Sequence, residues 1–156
     1  MVIRPVRLED VEDLRRNCFS AMSSDEVRAV VGKELARDGN DSVWLVAEDE
    51  SGEVVATCTV TRLAHRMCRH RADLGGFVIA PRMQGSGLAR RIVDAAREEA
   101  QQWGCSILEI SCRGGTHAEN AYKGLGFVEW GRLNGGYEDF DEVYDQVHLA
   151  MRIDPR

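Results

Sequence analysis

The sequence predicts an α/β domain built on a mixed sheet, on three observations. Apolar positions change period along the chain, recurring every second residue in some stretches and every three to four in others. Two stretches of period two are joined by a tight turn, which demands antiparallel pairing. Two others flank a long helical stretch, the arrangement of a parallel crossover. At 156 residues the chain is expected to form one domain over 1–156, large enough for a sizeable core.

Taken in order, "VIRPVR" (2–7) reads as the first strand. Glu9 and Asp10 favour a helix start, and Val11, Leu14 and Cys18 continue it at helical spacing. "SSDEVRAVVGKELARDG" (23–39) is a second helix, from a serine cap to a stop at Gly39. "SVWLVAED" and "EVVATCTVTRL" flank "ESG", so 42–63 reads as a β-hairpin. "RADLGGFVIA" (71–80) is a strand interrupted by Gly75 and Gly76, a pattern that marks a bulge or a close approach of other atoms. From Leu88, apolar residues at 88, 92, 96 and 103 define a helix ending at Gly104. "SILEIS" (106–111) is a short buried strand, and "THAENAYKGLG" (116–126) a short helix with Thr116 as its cap. Strands at 127–133 and 143–153 close the chain, with "NGG" (134–136) read as a flexible turn.

Composition narrows the function. A hydrophobic fraction of 44% with 29% charged residues reads as soluble and globular. No run approaches the ~20 apolar residues of a membrane span. The N-terminal stretch lacks an apolar signal-peptide core, so the expected location is cytoplasmic. Five cysteines (18, 58, 68, 105 and 112) without paired spacing suggest reduced thiols. His65, Cys68 and His70 match no familiar zinc spacing, and no metal is expected. The net charge of −6 argues against a nucleic-acid binder, so the basic run 62–71 reads as a solvated loop.

"PRMQGSGLARRIVDAA" (81–96) carries the strongest functional signal. Gly85 and Gly87 present no side chain at the start of the 88–103 helix, whose first N–H groups have no partner within the helix. The helix dipole adds roughly half a positive charge there, and Arg82, Arg90 and Arg91 add more, so the turn suits a phosphate. On spacing alone, an ordinary strand-to-helix turn fits as well. The NTPase phosphate loop is excluded because no lysine follows the glycines. The dinucleotide fingerprint fails because Arg90 stands in the third glycine's place.

"FVIAPRMQGSGLARRIVDAA" resembles the acetyl-CoA-binding motif of the GCN5-related N-acetyltransferases (GNAT), with Gln84, Gly87 and Ala89 at its three motif positions. "AENAYKGLGFVEWG" resembles the family's second motif through Ala118, Tyr122, Gly126 and Phe127, and "IRPVRLEDVEDL" resembles its first strand and helix. The resemblance implies the GNAT fold: a mixed, mostly antiparallel central sheet with helices on both faces, its fourth and fifth strands splayed into an acetyl-CoA cleft. It implies a pyrophosphate held by the backbone of Gln84, Gly85, Ser86, Gly87, Leu88 and Ala89. It also implies a pantetheine arm lying beside Phe77, Val78 and Ile79 like an added strand. The glycine pair at 75–76 then helps to open the cleft.

The implied reaction moves acetyl from acetyl-CoA to a primary amine, by direct attack through a tetrahedral intermediate. The amine must be neutral and the leaving thiolate benefits from a proton. The resemblance makes Tyr122 the proton donor; a core aromatic packed on Phe127 is the competing reading. For the base, the family's usual glutamate aligns with Gly75, which leaves Asp73 and Glu109 as candidates, Glu109 ranked ahead. Glu109 can equally be a partner for a nearby arginine. An asparagine frequent in the second motif is replaced by Gly115, which puts a pantetheine contact from Asn120 in doubt. The expected acceptor is a small cationic molecule or a peptide amine. Glu138, Asp139, Asp141, Glu142 and Asp145 either attract it at the cleft mouth or form a solvated loop. A homodimer is compatible with the chain. The alternatives are a CoA-binding sensor without turnover and, less favoured, a nucleic-acid-binding domain.

Overall fold

The computed structural model describes residues 1–37 and 39–154. Its elements are β1 (Val2–Pro5), α1 (Val11–Asn17), α2 (Ser24–Leu35), β2 (Ser42–Glu48), β3 (Val54–Arg62), β4 (Arg71–Ile79), α3 (Leu88–Gln102), β5 (Ile107–Arg113), α4 (His117–Gly124), β6 (Val128–Asp139) and β7 (Glu142–Arg152). The strands form one sheet in the order β1-β2-β3-β4-β5-β7-β6. Every pair is antiparallel except β4–β5, the crossover around α3.

Helices cover both faces unequally. On one face α1 and α2 pack Val11, Leu14, Val27 and Val31 against Trp44, Val46 and Val54. On the other, α3 buries Leu88, Ile92, Val93, Ala96 and Ala100 against the centre of the sheet, the stripe that helical spacing requires. Asp13 and Asn17 lock α1 to β3 by taking both backbone groups of Val54, the N–H at 3.0 Å and the carbonyl at 2.7 Å.

Four boundaries differ from the expectations. β1 stops at Pro5 because the chain turns where the Arg7 N–H donates to Asp10 Oδ2 at 2.7 Å. α2 begins with the expected cap, Ser23 and Glu26 bonding each other's backbone N–H, but ends at Leu35 rather than Gly39. There Glu34 reaches Ser42 at the start of β2, 3.0 Å away, and pulls the chain round early; Asp38 lies outside the described residues. Thr116 stands at the N-cap of α4 without capping it: its hydroxyl donates back to the Arg113 carbonyl at 2.6 Å. The largest correction concerns 134–136, which is no turn. β6 runs through it to Asp139, and the register against β7 shifts there in a bulge.

The site is prepared by a second irregularity. The register between β3 and β4 slips by one residue opposite Cys58, where Gly76 takes a φ of 54°. This bulge at the predicted glycine pair reverses the alternation of side chains beyond it. Asp73 and Gly75 share the face of Trp44, whereas Phe77 and Ile79 pack on the opposite face with α3. Pairing between β4 and β5 is correspondingly short: Arg71, Ala72 and Asp73 meet Ile107, Leu108 and Glu109, and the ladder ends.

Candidate functional site

Beyond Asp73 and Glu109 the two parallel strands part, so 74–79 has no strand partner on its β5 side. An extended ligand can use that edge as an eighth strand would. Phe77, Val78 and Ile79 lie along this stretch.

The edge leads to the loop before α3. Gly85 and Gly87 have φ of 78° and 81°, and a Cβ at either would meet nothing within 4 Å. The glycines are thus required by backbone conformation, and the space over them is open. Ser86 turns its hydroxyl inward to the Met83 carbonyl at 2.5 Å. The N–H groups of Gly85, Gly87, Leu88 and Ala89 find no protein acceptor among the described residues, and α3 has no side-chain cap. Uncapped donors, a helix N-terminus and open space fit a pyrophosphate. Of the three neighbouring arginines, Arg82 is committed elsewhere, to Glu53 at 2.9 Å and Asn17 at 3.0 Å. Arg90 reaches the Gly124 carbonyl and Arg91 that of Met1, both weakly and in solvent.

Tyr122, on α4, bridges the parted strands on the α3 side. Its ring stands edge-on to Phe77 of β4, with centroids 5.8 Å apart, and to Phe127 at 6.4 Å. Burial, with a smaller contribution from Cys112, pushes its phenol up to about 12, so the hydroxyl holds its proton at neutral pH.

The two carboxylates lie on the opposite face, as cross-strand partners. Glu109 is buried and grips Arg71 through two bonds of 2.6 Å, Nε to Oε2 and Nη2 to Oε1. Asp73 has no ion-pair partner among the described residues and remains accessible to solvent. Nevertheless its proton affinity is raised, first by the protein crowded around it and then by the Glu109 charge; the His148 imidazole opposes this. The ranking that put Glu109 ahead had no means of seeing Arg71, which is 38 residues away in the chain.

This face is bare over β5, β7 and β6. A cavity of about 790 Å³ opens there, between Arg71 and Glu109 on one side and Val128 and Trp130 on the other. Trp130 lies against the His148 ring at 5.1 Å, and His148 Nδ1 is 3.1 Å from Ser111 Oγ. The sequence reading passed over these three residues. Val128 and Trp130, two apart on a strand, were the available signal, since both point to one face. The acidic segment lies elsewhere. It forms the tip of the β6–β7 hairpin, its β7 members five to eight residues along the strand from Ala150 of the cavity, or about 17–26 Å. Asp139 pairs with Arg113 and Asp145 with Arg132, both at 3.2 Å. The basic run is also engaged, Arg69 bonding Asp41 through both carboxylate oxygens at 2.8 and 3.0 Å. Among the described residues no three His, Cys, Asp or Glu side chains are grouped for a metal, and no helix is long and apolar enough to cross a membrane.

Comparison with known proteins agrees with this fold. The profile of the Acetyltransferase (GNAT) family matches residues 8–127. Among solved structures, a ribosomal-protein-alanine N-acetyltransferase from Brucella melitensis superposes with a TM-score of 0.82 at 22% identity, covering 98% of this chain and 100% of that one. A variant of the spermidine N-acetyltransferase from Vibrio cholerae gives 0.80 at 18% identity, with coverage of 97% and 95%. A phosphinothricin acetyltransferase from Sinorhizobium meliloti in complex with AcCoA gives 0.81 at 15% identity, with coverage of 98% and 88%.

Proposed function

The chain belongs to the GNAT acetyltransferase family and is an acetyl-CoA-dependent N-acetyltransferase; on that premise we propose that it acetylates a primary amine, with Asp73 as the base and Tyr122 as the acid. The observation that carries this reading is the gap between β4 and β5, which has an accessible carboxylate on one face and a protonated phenol on the other.

Acetyl-CoA supplies the activated acyl group. The free backbone N–H groups of Gly85, Gly87, Leu88 and Ala89 would hold its pyrophosphate, those of Gln84 and Ser86 being taken by the Pro81 and Met83 carbonyls, and the free edge at Phe77, Val78 and Ile79 would receive its pantetheine arm. The amine comes from the bare face. An alkylammonium with a pKa near ~10.4 must lose its proton before it can attack. Asp73 is suited to that step because it is unpaired and its proton affinity is raised, which narrows the gap between donor and acceptor. Glu109 serves Asp73 as a neighbouring charge rather than as the base, its own oxygens being held by Arg71. Tyr122 then gives a proton to the departing thiolate from the other face.

The fold neighbours are named for a ribosomal-protein alanine, spermidine and phosphinothricin, so the shared fold does not select the acceptor. The test is release of CoA thiol from acetyl-CoA against amines, polyamines and peptides, run beside calorimetry of acetyl-CoA binding. Amine-dependent thiol release is expected. Tight binding with no turnover on any amine would replace this reading with a CoA sensor. Gly87→Asn tests the loop, since asparagine tolerates the left-handed backbone but fills the open space. At least a tenfold loss of acetyl-CoA affinity is expected, and unchanged affinity would remove the loop from the site.

A further inference from the structure

The walls and charges of the bare-face cavity specify more than a primary amine. Val128 and Trp130 are 69% and 56% exposed, and with Ile107 and Ala150 they make its sides apolar. Exposed aromatic and aliphatic surface gathered in a concavity is the ordinary signature of a ligand site. Its charges are unbalanced in one direction. Arg71 and Glu109 neutralise each other, and Arg152, exposed at the end of β7, has no carboxylate partner among the described residues. His70 stands on the same side, and no unpaired carboxylate lines the cavity. A polyamine would therefore meet apolar walls and a guanidinium.

The register sets the spacing. Asp73 is opposite Glu109, which is opposite Ala150; Arg71 is opposite Ile107, which is opposite Arg152. Asp73 and Arg152 are thus two strands across and two residues along from each other, about 12 Å between Cα atoms. The Asp73 carboxylate leans toward Gly75, its Oδ2 3.7 Å from where a Cβ there would stand, so a ligand that reaches both charges must span about the Cα–Cα distance.

We infer that the acceptor is a primary amine on an apolar or aromatic body that ends in a carboxylate, the amine directed to Asp73, the body against Trp130 and the carboxylate on Arg152. This inference rests on the reading that the amine enters from the bare face. It identifies Arg152 and Trp130 as specificity residues, and it disfavours the cationic acceptor suggested by the acidic hairpin tip.

Three probes share one body and differ only at its end: 4-(aminomethyl)benzoate, 4-methylbenzylamine and 4-(aminomethyl)benzylamine. Calorimetric titration of the protein reads their binding without turnover, so its result is separate from whether acetyl transfer occurs. The benzoate is expected to bind at least tenfold more tightly than the methyl compound, as a charge-assisted hydrogen bond of ~1.5–3 kcal/mol implies, and the diamine most weakly. Arg152→Gln should abolish the benzoate's advantage and leave the methyl compound unchanged, while Arg152→Lys retains most of that advantage. Trp130→Ala should weaken all three. Tightest binding by the diamine, equal weakening of benzoate and methyl compound in Arg152→Gln, or no measurable binding of any probe would overturn the inference.

Discussion

Two neighbouring regions on one face of the sheet have opposite fates. Over β2 and β3, α1 and α2 seal Trp44, Val46 and Val54 from water. Over β6, the same face leaves Val128, Trp130 and Leu133 more than half exposed. The strands differ accordingly. β2 from Val43 to Ala47 and the start of β3, Val54 to Ala56, are continuously apolar, whereas β6 and β7 carry polar groups among their apolar ones. Asp73, Glu109, Ser111 and His148 occupy the border between the two regions. The covered region holds the molecule together, and the border and bare region remain free for chemistry.

If that division is right, substitutions should separate rate from stability. The largest effect belongs to Tyr122→Phe. The ring contacts with Phe77 and Phe127 survive, so the melting temperature should hold while kcat falls by about 10²–10⁴, the usual value of a general acid. Full activity would return Tyr122 to a packing role. In the covered region, Leu14→Ala empties a fully buried site and should lose about 2–5 kcal/mol of stability with kcat unchanged. A parallel loss of kcat at temperatures where the variant is fully folded would break the division.

Asp73→Asn should lower kcat/KM by about 10²-fold near neutral pH, at the low end for a general base, with the deficit shrinking as pH approaches the amine's own pKa. The same variant should melt slightly higher. The fold raises the proton affinity of Asp73, so the native chain binds more protons than the unfolded one across that interval. Stability therefore falls as pH rises through it, and Asn removes the loss. Glu109→Gln should do the reverse, lowering the melting temperature by releasing Arg71 and affecting the rate less than Asp73→Asn does. A larger rate loss at Glu109 than at Asp73 would exchange their roles. Ser23→Ala is the smallest effect, about 1 kcal/mol from a lost helix cap, visible in thermal melts and absent from kinetics.

Where periodicity and caps carry the information, the sequence was sufficient. The α3 stripe at 88, 92 and 96 and the Ser23 cap are local patterns, and the structure repeats them. The 75–76 bulge was also legible, because paired glycines inside an apolar strand have few other uses. At 134–136 the same residue type misled, since glycine serves turns and bulges alike. A Cβ at Gly136 would stand 2.6 Å from the Cβ of Gln146, so that glycine answers a close cross-strand approach rather than a need to turn. The Arg71–Glu109 pair was illegible for another reason: it depends on parallel register between strands separated by a whole helix. Trp130 was hidden because aromatic character does not reveal whether a helix covers that part of the sheet.

The brevity of the β4–β5 ladder has a mechanical consequence. Three residue pairs join a block of four strands to a block of three, and each block is laced internally by longer antiparallel ladders. That seam is the most compliant line in the sheet, because widening it sacrifices few bonds, and backbone amides along it should exchange with solvent through local opening. A ligand that bonded to both parted strands would splice the blocks and stiffen both. Its occupancy should be measurable as slowed exchange at amides it never touches, so the protein registers a loaded cleft as rigidity across the whole sheet.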